Sequence, residues 1–377
     1  MKIGLSTPVI QRGKTGIAQY VFALVRALEA HTAEHQFTLF VLEEDVPLFA
    51  FAAESMKIVT VAERFRPAVR NILWHQTELP RLVRQQGLDV LHVPSYRRLL
   101  WRRPCALVAT IHDLAPFKVS NKYDWKRMLY GKVIVKRLAR RQDRVVAISQ
   151  NTARDVRRFF GVPEGRIRVI HNGLEHERFF PGNGLDTGAA QKFGLRRPFF
   201  LYVARLEHPA KNHVRLIEAF NRFKAAGRTD WQLVFGGSDW HGAEAIHAAI
   251  KASPFAADIR SLGFVEDADL PDLYRAAEVF VYPSLYEGFG MPPIEAMACG
   301  CPVISSACGS LGEVLGDAAV VVDPEDVDSM ARQLTALAGD EGLRERLRKE
   351  GLLQARRYDW KRTAEETIGV YQRAVMR

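Results

Sequence analysis

The sequence predicts an α/β fold of two domains, each an open parallel sheet covered by helices, and three observations predict it. The chain has 377 residues, 47% of them hydrophobic, which is too long for one ordinary core and enough to fill two. Short apolar and β-branched runs alternate with helix-like segments in both halves, the pattern of strands joined by crossover helices. One stretch, "FFPGNGLDTGAAQKFGLRRP", gathers Pro and Gly and loses apolar periodicity, as a linker does. These place a first domain at 1–178, a linker at 179–197 and a second domain at 198–377, with the last helix free to pack back on the first domain.

In the first domain strands are predicted near 2–9, 37–42, 57–61, 90–93, 107–111 and 145–148, and helices fit between them. The segment "AISQNTARDVRRFFGV" shows how one is bounded. Ser149 can cap it, Val156, Phe159 and Phe160 line one face, and Gly161 ends it. In the second domain the strands fall near 199–203, 232–235, 260–263, 279–282, 303–305 and 319–322, followed by helices rich in Arg, Leu and Glu. Open parallel sheets bind ligands outside the carboxyl ends of their strands, so functional residues are sought there.

Charge divides the chain as sharply as pattern does. The net charge is +10, but residues 1–178 carry 30 basic against 16 acidic side chains (+14) and the remainder 23 against 27 (−4). The first domain is built to meet something acidic. Its basic residues concentrate in "YRRLLWRRP" (96–104) and "DWKRMLYGKVIVKRLARRQDR" (124–144). With Leu99, Leu100 and Trp101 among the arginines, the first of these suits an anionic bilayer or a polyprenyl diphosphate. A solvated basic face would look the same, and no recognised nucleic-acid motif accompanies it, so nucleic acid is not expected as a partner.

Four cysteines, Cys105, Cys299, Cys301 and Cys308, are too few for a disulfide framework, and the close pair has no second pair at zinc spacing. Reduced structural thiols are expected. The eleven histidines form no ligand cluster, so no protein-bound metal is expected. The opening "MKIGLSTPVI" does not read as a signal peptide, and no run reaches the roughly 18 apolar residues of a membrane span. The expected location is cytoplasmic, with the inner face of the membrane as a docking surface.

The chemistry concentrates in "EGFGMPPIE", which sets Glu287 and Glu295 on either side of Gly-Phe-Gly-Met-Pro-Pro. A continuous helix would leave the two acids about 80° apart, and its Gly and Pro residues forbid one. A strand ending at Pro283, a loop through Glu287 and Gly290 and a helix from about Pro292 fit better. The glycines admit a ligand to the backbone, and the amides of a helix start favour phosphate. The acids can accept hydrogen bonds from vicinal hydroxyls; equally, Glu295 can complement its helix dipole and Glu287 can be a solvated loop charge. Gly13-Lys14-Thr15 is not a P-loop, because Pro8 stands where that motif needs Gly.

"EGFGMPPIE" strongly resembles the E-x7-E motif of the retaining glycosyltransferases of family 4, and three further stretches follow in family order. "YVARLEHPAKNHVRLIEAF" is similar to the segment whose Arg and Lys hold the donor diphosphate, here Arg205 and Lys211. "VIHNGLEHERFFP" resembles the interdomain Asn-Gly stretch, and "LGFVEDADLPDLYRAAEVFVYPS", with Val265, the base-binding segment. The resemblance implies a GT-B fold, two Rossmann-like domains with parallel sheets facing an interdomain cleft, the second binding a nucleotide-sugar and the first an acceptor. It gives Glu295 the ribose hydroxyls and Glu287 the transferred sugar, with Gly288, Phe289, Gly290 and Met291 near sugar and phosphate. In "TIHDLAPF", His112 and Asp113 stand at a strand end, where functional groups are presented; His112 resembles the family's acceptor-domain histidine that faces the donor sugar, and Asp113 is a catalytic candidate beside it that can instead cap the following turn. Gly16 fits the glycine loop after the first strand.

The implied reaction is hexose transfer with retention of configuration, mannose from GDP-mannose being the first expectation and a UDP-hexose the second. The acceptor would be a saccharide or a polyprenyl-linked sugar in surface polysaccharide biosynthesis. No cofactor or metal is expected beyond the donor, since the compact acidic motif of the other glycosyltransferase fold is missing. A GT-B sugar-nucleotide epimerase, or a binding protein that has lost catalysis, are the alternatives. A nicotinamide dehydrogenase is disfavoured by G-K-T-G in place of G-x-G-x-x-G.

Overall fold

The apolar runs fold as strands, and every pairing between strands is parallel. The computed structural model describes residues 1–13, 15–118, 131–182, 188–196, 198–227 and 230–376. The first sheet contains β1 (Lys2–Ser6), β2 (Gln36–Leu42), β3 (Lys57–Val61), β4 (Val90–Val93), β5 (Ala106–Ile111), β6 (Arg144–Ala147) and β7 (Ile167–Val169). Its order is β3-β2-β1-β4-β5-β6-β7. The second contains β8 (Phe199–Val203), β9 (Gln232–Gly236), β10 (Ile259–Ser261), β11 (Val279–Tyr282), β12 (Val303–Ser306) and β13 (Ala319–Val322), in the order β10-β9-β8-β11-β12-β13.

Burial agrees with both orders. The inner strands β4, β5 and β11 are buried at every residue, as strands covered on both faces must be, and their sequences are correspondingly unbroken apolar runs. β1 stops at Ser6 short of the predicted end, since Pro8 has no N–H to continue a ladder. β7 was not expected: three residues, only partly buried, are too short to show alternation.

The domain boundaries differ from the expectation. One unit comprises Met1–Gly173 with Asp359–Arg377, and the other is Leu174–Tyr358. The stretch 179–197 is part of the second unit and not a linker between the two. Phe179 is buried against the Tyr274 ring at 6.2 Å, Arg275 Nη1 donates to the Phe180 carbonyl at 3.1 Å, and Ala189, Ala190 and Leu195 are buried. Its Pro and Gly residues make the backbone irregular, while these apolar anchors fix it to the second domain; positions 183–187 and 197 lie outside the described residues.

The helix Trp360–Val375 belongs to the first unit. Its buried face, Ala364, Ile368, Val370, Tyr371 and Ala374, joins the core cluster of Leu24, Val25, Val108 and Val146. The aliphatic members larger than Ala, such as Ile368 and Val370, each contribute about 1.5–3 kcal/mol by leaving water. A buried polar chain locks the helix in place: the Tyr371 hydroxyl lies 2.7 Å from His92 Nδ1, His92 Nε2 2.7 Å from Thr110 Oγ1, and Thr110 3.2 Å from the Tyr20 hydroxyl.

The helix expected after Ser149 runs Gln150–Asp155 and closes in a wider π turn, Val156–Phe160. Ser149 Oγ accepts from the Thr152 amide, Val156 and Phe160 are buried, and Gly161 (φ 65°) ends it. Phe159 instead stacks on Phe117 at 5.3 Å. All four cysteines are free thiols. Among the described residues no helix is long and apolar enough to cross a membrane.

Candidate functional site

In each sheet the strand order reverses once, between β1 and β4 and between β8 and β11. A crevice opens outside the carboxyl ends of strands at such a point. In the second domain, Lys211 follows β8 and Glu287 follows β11, so the two residues flank that crevice.

They meet there. Lys211 Nζ lies 2.5 Å from Glu287 Oε1, the Tyr282 hydroxyl donates to the same oxygen at 3.0 Å, and Lys211 also reaches Tyr282 at 3.5 Å. Both charged side chains are largely buried, 17% and 15% exposed, so the pair is mostly shielded from solvent. Burial works against ionising Glu287, but the adjacent Lys211 ammonium outweighs it, helped by hydrogen bonds from Lys211, Ser284 and Tyr282. The carboxyl therefore lies below its usual range. Burial likewise opposes the Lys211 ammonium and is outweighed by Glu287, which holds its pKa above the usual value. Main-chain bonds fix the acid in turn: the Ser310 amide and hydroxyl donate to the Glu287 carbonyl at 3.1 and 3.0 Å.

Glu295 is set differently. It lies in the helix Met291–Ala298, as expected, and its Oε2 accepts from the Tyr274 hydroxyl at 2.9 Å. No cation of the described residues bonds to it, and burial raises its pKa to about 7, the Tyr274 bond pulling the other way. The helix opens on Gly290, whose φ of 102° suits glycine, and a Cβ there would come within 2.5 Å of Leu311 Cδ2. Of the four amides with which a helix opens, Pro292 and Pro293 have no N–H, leaving Gly290 and Met291. Phe289 is buried, edge-on to Tyr358 at 5.4 Å, so its side chain anchors the loop.

Arg205 is half-exposed on the loop after β8, 3.8 Å from Glu207 and stacked 4.6 Å over the Trp240 ring. Trp240 belongs to the loop after β9, tied to the β8 loop by bonds from Leu206 N to Ser238 O and from Trp240 N to Leu206 O. Val265 is buried against Gly236. Lys211 and Glu287 are thus brought together; Arg205, Glu295 and Val265 have other partners within the same domain.

His112, Asp113 and Gly16 belong to the first domain, at the carboxyl ends of β5 and β1. His112 Nε2 lies 3.2 Å from the Pro94 carbonyl and must donate to it, which leaves Nδ1 as an acceptor. Burial lowers its pKa to about 4, so the ring is neutral near pH 7. Asp113 Oδ1 accepts from the Ala115 amide at 2.9 Å, the turn-capping alternative named above. Gly16 opens the helix Gly16–Glu29 with open space around it, and Thr15 caps that helix; the left-handed backbone of the loop is at Gln11, Arg12 and Gly13 (φ 48°, 58° and 81°). The "YRRLLWRRP" surface is smaller than expected, because Leu99 and Leu100 are buried. Trp101 remains exposed beneath the Arg141 guanidinium. Of the second basic stretch, 124–130 lies outside the described residues.

Residues 14–178 match the family described as Glycosyltransferase Family 4, and residues 189–354 that described as Glycosyl transferases group 1. Over 99% of its length the chain is 28% identical to the whole of the O-antigen chain mannosyltransferase B of Escherichia coli. It is 30% identical to the D-inositol 3-phosphate glycosyltransferase of Kribbella flavida, over 78% of this chain and 73% of the relative. The chain belongs to glycosyltransferase family 4. Its fold is that of the GT-B members of the family: it matches Anabaena HepE, solved with UDP-glucose, with a TM-score of 0.77 over 98% of each chain at 18% identity. As a family 4 glycosyltransferase it has a site richer in aromatic hydroxyls than its motifs suggest. Tyr274, Tyr282 and the exposed Trp240 were not singled out from the sequence. The tyrosines lie in apolar runs that read as core, and the available signal was that a buried phenol needs a hydrogen-bond partner.

Proposed function

We propose that this glycosyltransferase moves a hexose, mannose from GDP-mannose in the first instance, with retention of configuration. The acceptor is a saccharide or polyprenyl-linked sugar of surface polysaccharide. The observation that carries the reading is the shielded Lys211–Glu287 pair at the strand-order reversal, 2.5 Å apart. The donor's sugar would meet Glu287 and its ribose Glu295, while the departing diphosphate gains negative charge beside Lys211, Arg205 and the amides of Gly290 and Met291. Fixed donors and cations aimed at that charge stabilise the transition state. Neutral His112 offers an acceptor to a sugar hydroxyl. Full-length similarity to an O-antigen mannosyltransferase supports the sugar; the UDP-glucose of HepE keeps a UDP-hexose as the second candidate.

The test is thermal stabilisation by GDP, UDP and their sugars, because a matched ligand raises the melting temperature, followed by calorimetry on two variants. Glu295→Ala is expected to weaken nucleotide binding, whereas Glu287→Ala abolishes transfer with nucleotide binding retained. Equal loss of nucleotide affinity in both would show that the roles are divided wrongly. Conversion of a nucleotide-sugar without acceptor would favour an epimerase.

Two further parts of the proposal have tests of their own. Transfer is metal-independent, so excess chelator leaves the rate unchanged; loss of turnover restored by added metal would refute this. The basic first domain docks on anionic membrane, with Trp101 and the exposed Val69 and Leu73 at the contact. Gln76, on the same helix as Val69 and Leu73, accepts from the Trp101 amide. Flotation with anionic liposomes should fall with salt, and binding indifferent to lipid charge would remove the membrane from the proposal.

A further inference from the structure

We infer that Tyr274 and Tyr282 are positioning residues that separate the tasks of Glu295 and Glu287, acting from one buried aromatic column. This rests on the reading of those acids as ribose and sugar holders. Phe280 and Tyr282 stand two apart on β11 and so share a face. Tyr274, on the helix Leu270–Ala276, meets Phe280 edge-on at 5.4 Å; Phe280 stacks on Tyr282 at 5.9 Å; Tyr282 meets Tyr202 of β8 edge-on at 5.3 Å. All four rings are buried.

Each phenol of the column ends on a site residue. Tyr274 donates to Glu295 Oε2 at 2.9 Å, Tyr282 to Glu287 Oε1 at 3.0 Å, and Tyr202 to the Lys211 carbonyl at 2.6 Å. Burial pushes the Tyr274 and Tyr282 phenols up, so they remain protonated donors at any working pH. A buried phenol on two packed torsions has no other place to put its proton, and each therefore fixes one carboxylate oxygen and the direction in which the other points. The two acids stay different because Glu287 bonds the Lys211 cation directly, while Glu295 bonds the Tyr274 phenol and feels Arg178 only through its charge.

Tyr→Phe removes the hydroxyls and keeps the column. GDP and UDP are titrated calorimetrically against the parent chain, Tyr274→Phe, Tyr282→Phe, Glu295→Ala and the double variant Tyr274→Phe/Glu295→Ala, with melting temperatures recorded for each. Tyr274→Phe is expected to lose about tenfold in nucleotide affinity, the scale of one hydrogen bond to a charged group, with kcat at saturating donor little changed. Tyr282→Phe should lose about tenfold in kcat with nucleotide affinity within about twofold. In the Glu295→Ala background Tyr274→Phe should have no further effect, because a residue that acts through another has nothing left to act on. Additive losses, or equal losses of both parameters in the two variants, would assign the column to packing alone and overturn the inference. Should Tyr274→Phe unfold, the Tyr282→Phe split between kcat and affinity decides. If Glu295→Ala binds nucleotide like the parent, or the parent binds neither nucleotide, the reading of the site fails first and the inference with it.

Discussion

Glu287 and Glu295 are the same residue type on one short loop and helix, yet their ionisation is displaced in opposite directions. Glu287 has a cation bonded to it, whereas Glu295 is bonded by a phenol and feels Arg178 only through its charge, so burial is outweighed at the first and prevails at the second. Its folded pKa of about 7 lies above the ordinary 4.5, so the folded state favours the protonated acid. The stability this gives is present below pH 4.5 and is lost as pH rises through 7. Glu295→Gln should accordingly melt a few degrees higher than the parent above pH 7, in the absence of nucleotide. In the proposed ribose contact, hydroxyl donors would stabilise the ionised form and lower the pKa of the complex. Nucleotide affinity should therefore climb by up to about tenfold per pH unit below 7 and level off above it. Calorimetry across pH 5–8 would show this slope, and Glu295→Gln should flatten the part owed to this group.

At the scale of elements, the loops after β11 and β12 meet backbone to backbone, so that a Cβ on Gly309 would collide with the Glu287 carbonyl. Gly290 has room for no Cβ beside Leu311, and its φ is one that alanine resists. Gly290→Ala should cost about 1–3 kcal/mol and depress transfer more than the melting temperature suggests, because the shifted backbone is the one that carries Met291; melts and initial rates test this together. The strands were legible because buried parallel strands are uninterrupted apolar runs, and the helix start after Gly290 because Gly and Pro have few other uses in that order. Lys211 and the two acids drew notice through the company they keep in sequence, and of the three the fold brings Lys211 and Glu287 together. β7 was not legible, being three residues long, and neither were the anchors Phe179 and Leu195, which a Pro- and Gly-rich context disguises as linker. Tyr282 and Tyr274 were hidden for the opposite reason, since aromatic content makes them look purely structural.

At the scale of the molecule, the first domain depends on a helix distant in sequence. Tyr371→Phe would leave His92 Nδ1 without its partner in a fully buried position, at a cost of about 1–3 kcal/mol. Calorimetric melting should show a drop in the transition of the first domain with that of the second unmoved, and a drop shared by both would show that the helix supports more than its own domain. The charge asymmetry belongs to this scale as well, since the basic excess lies in the first domain and the acidic excess in the second.

The return of the helix Trp360–Val375 to the first domain also sets an order of assembly. The second domain is one unbroken segment and can fold as soon as residue 358 has been synthesised. The first, though begun earlier, lacks part of its core until the chain beyond Asp359 exists. Vectorial synthesis, which ordinarily lets the amino-terminal domain fold first, is here reversed. The same wiring governs exchange between relatives: the second domain is one contiguous cassette, Leu174–Tyr358, whereas the other domain can be replaced only by changing the chain in two places at once.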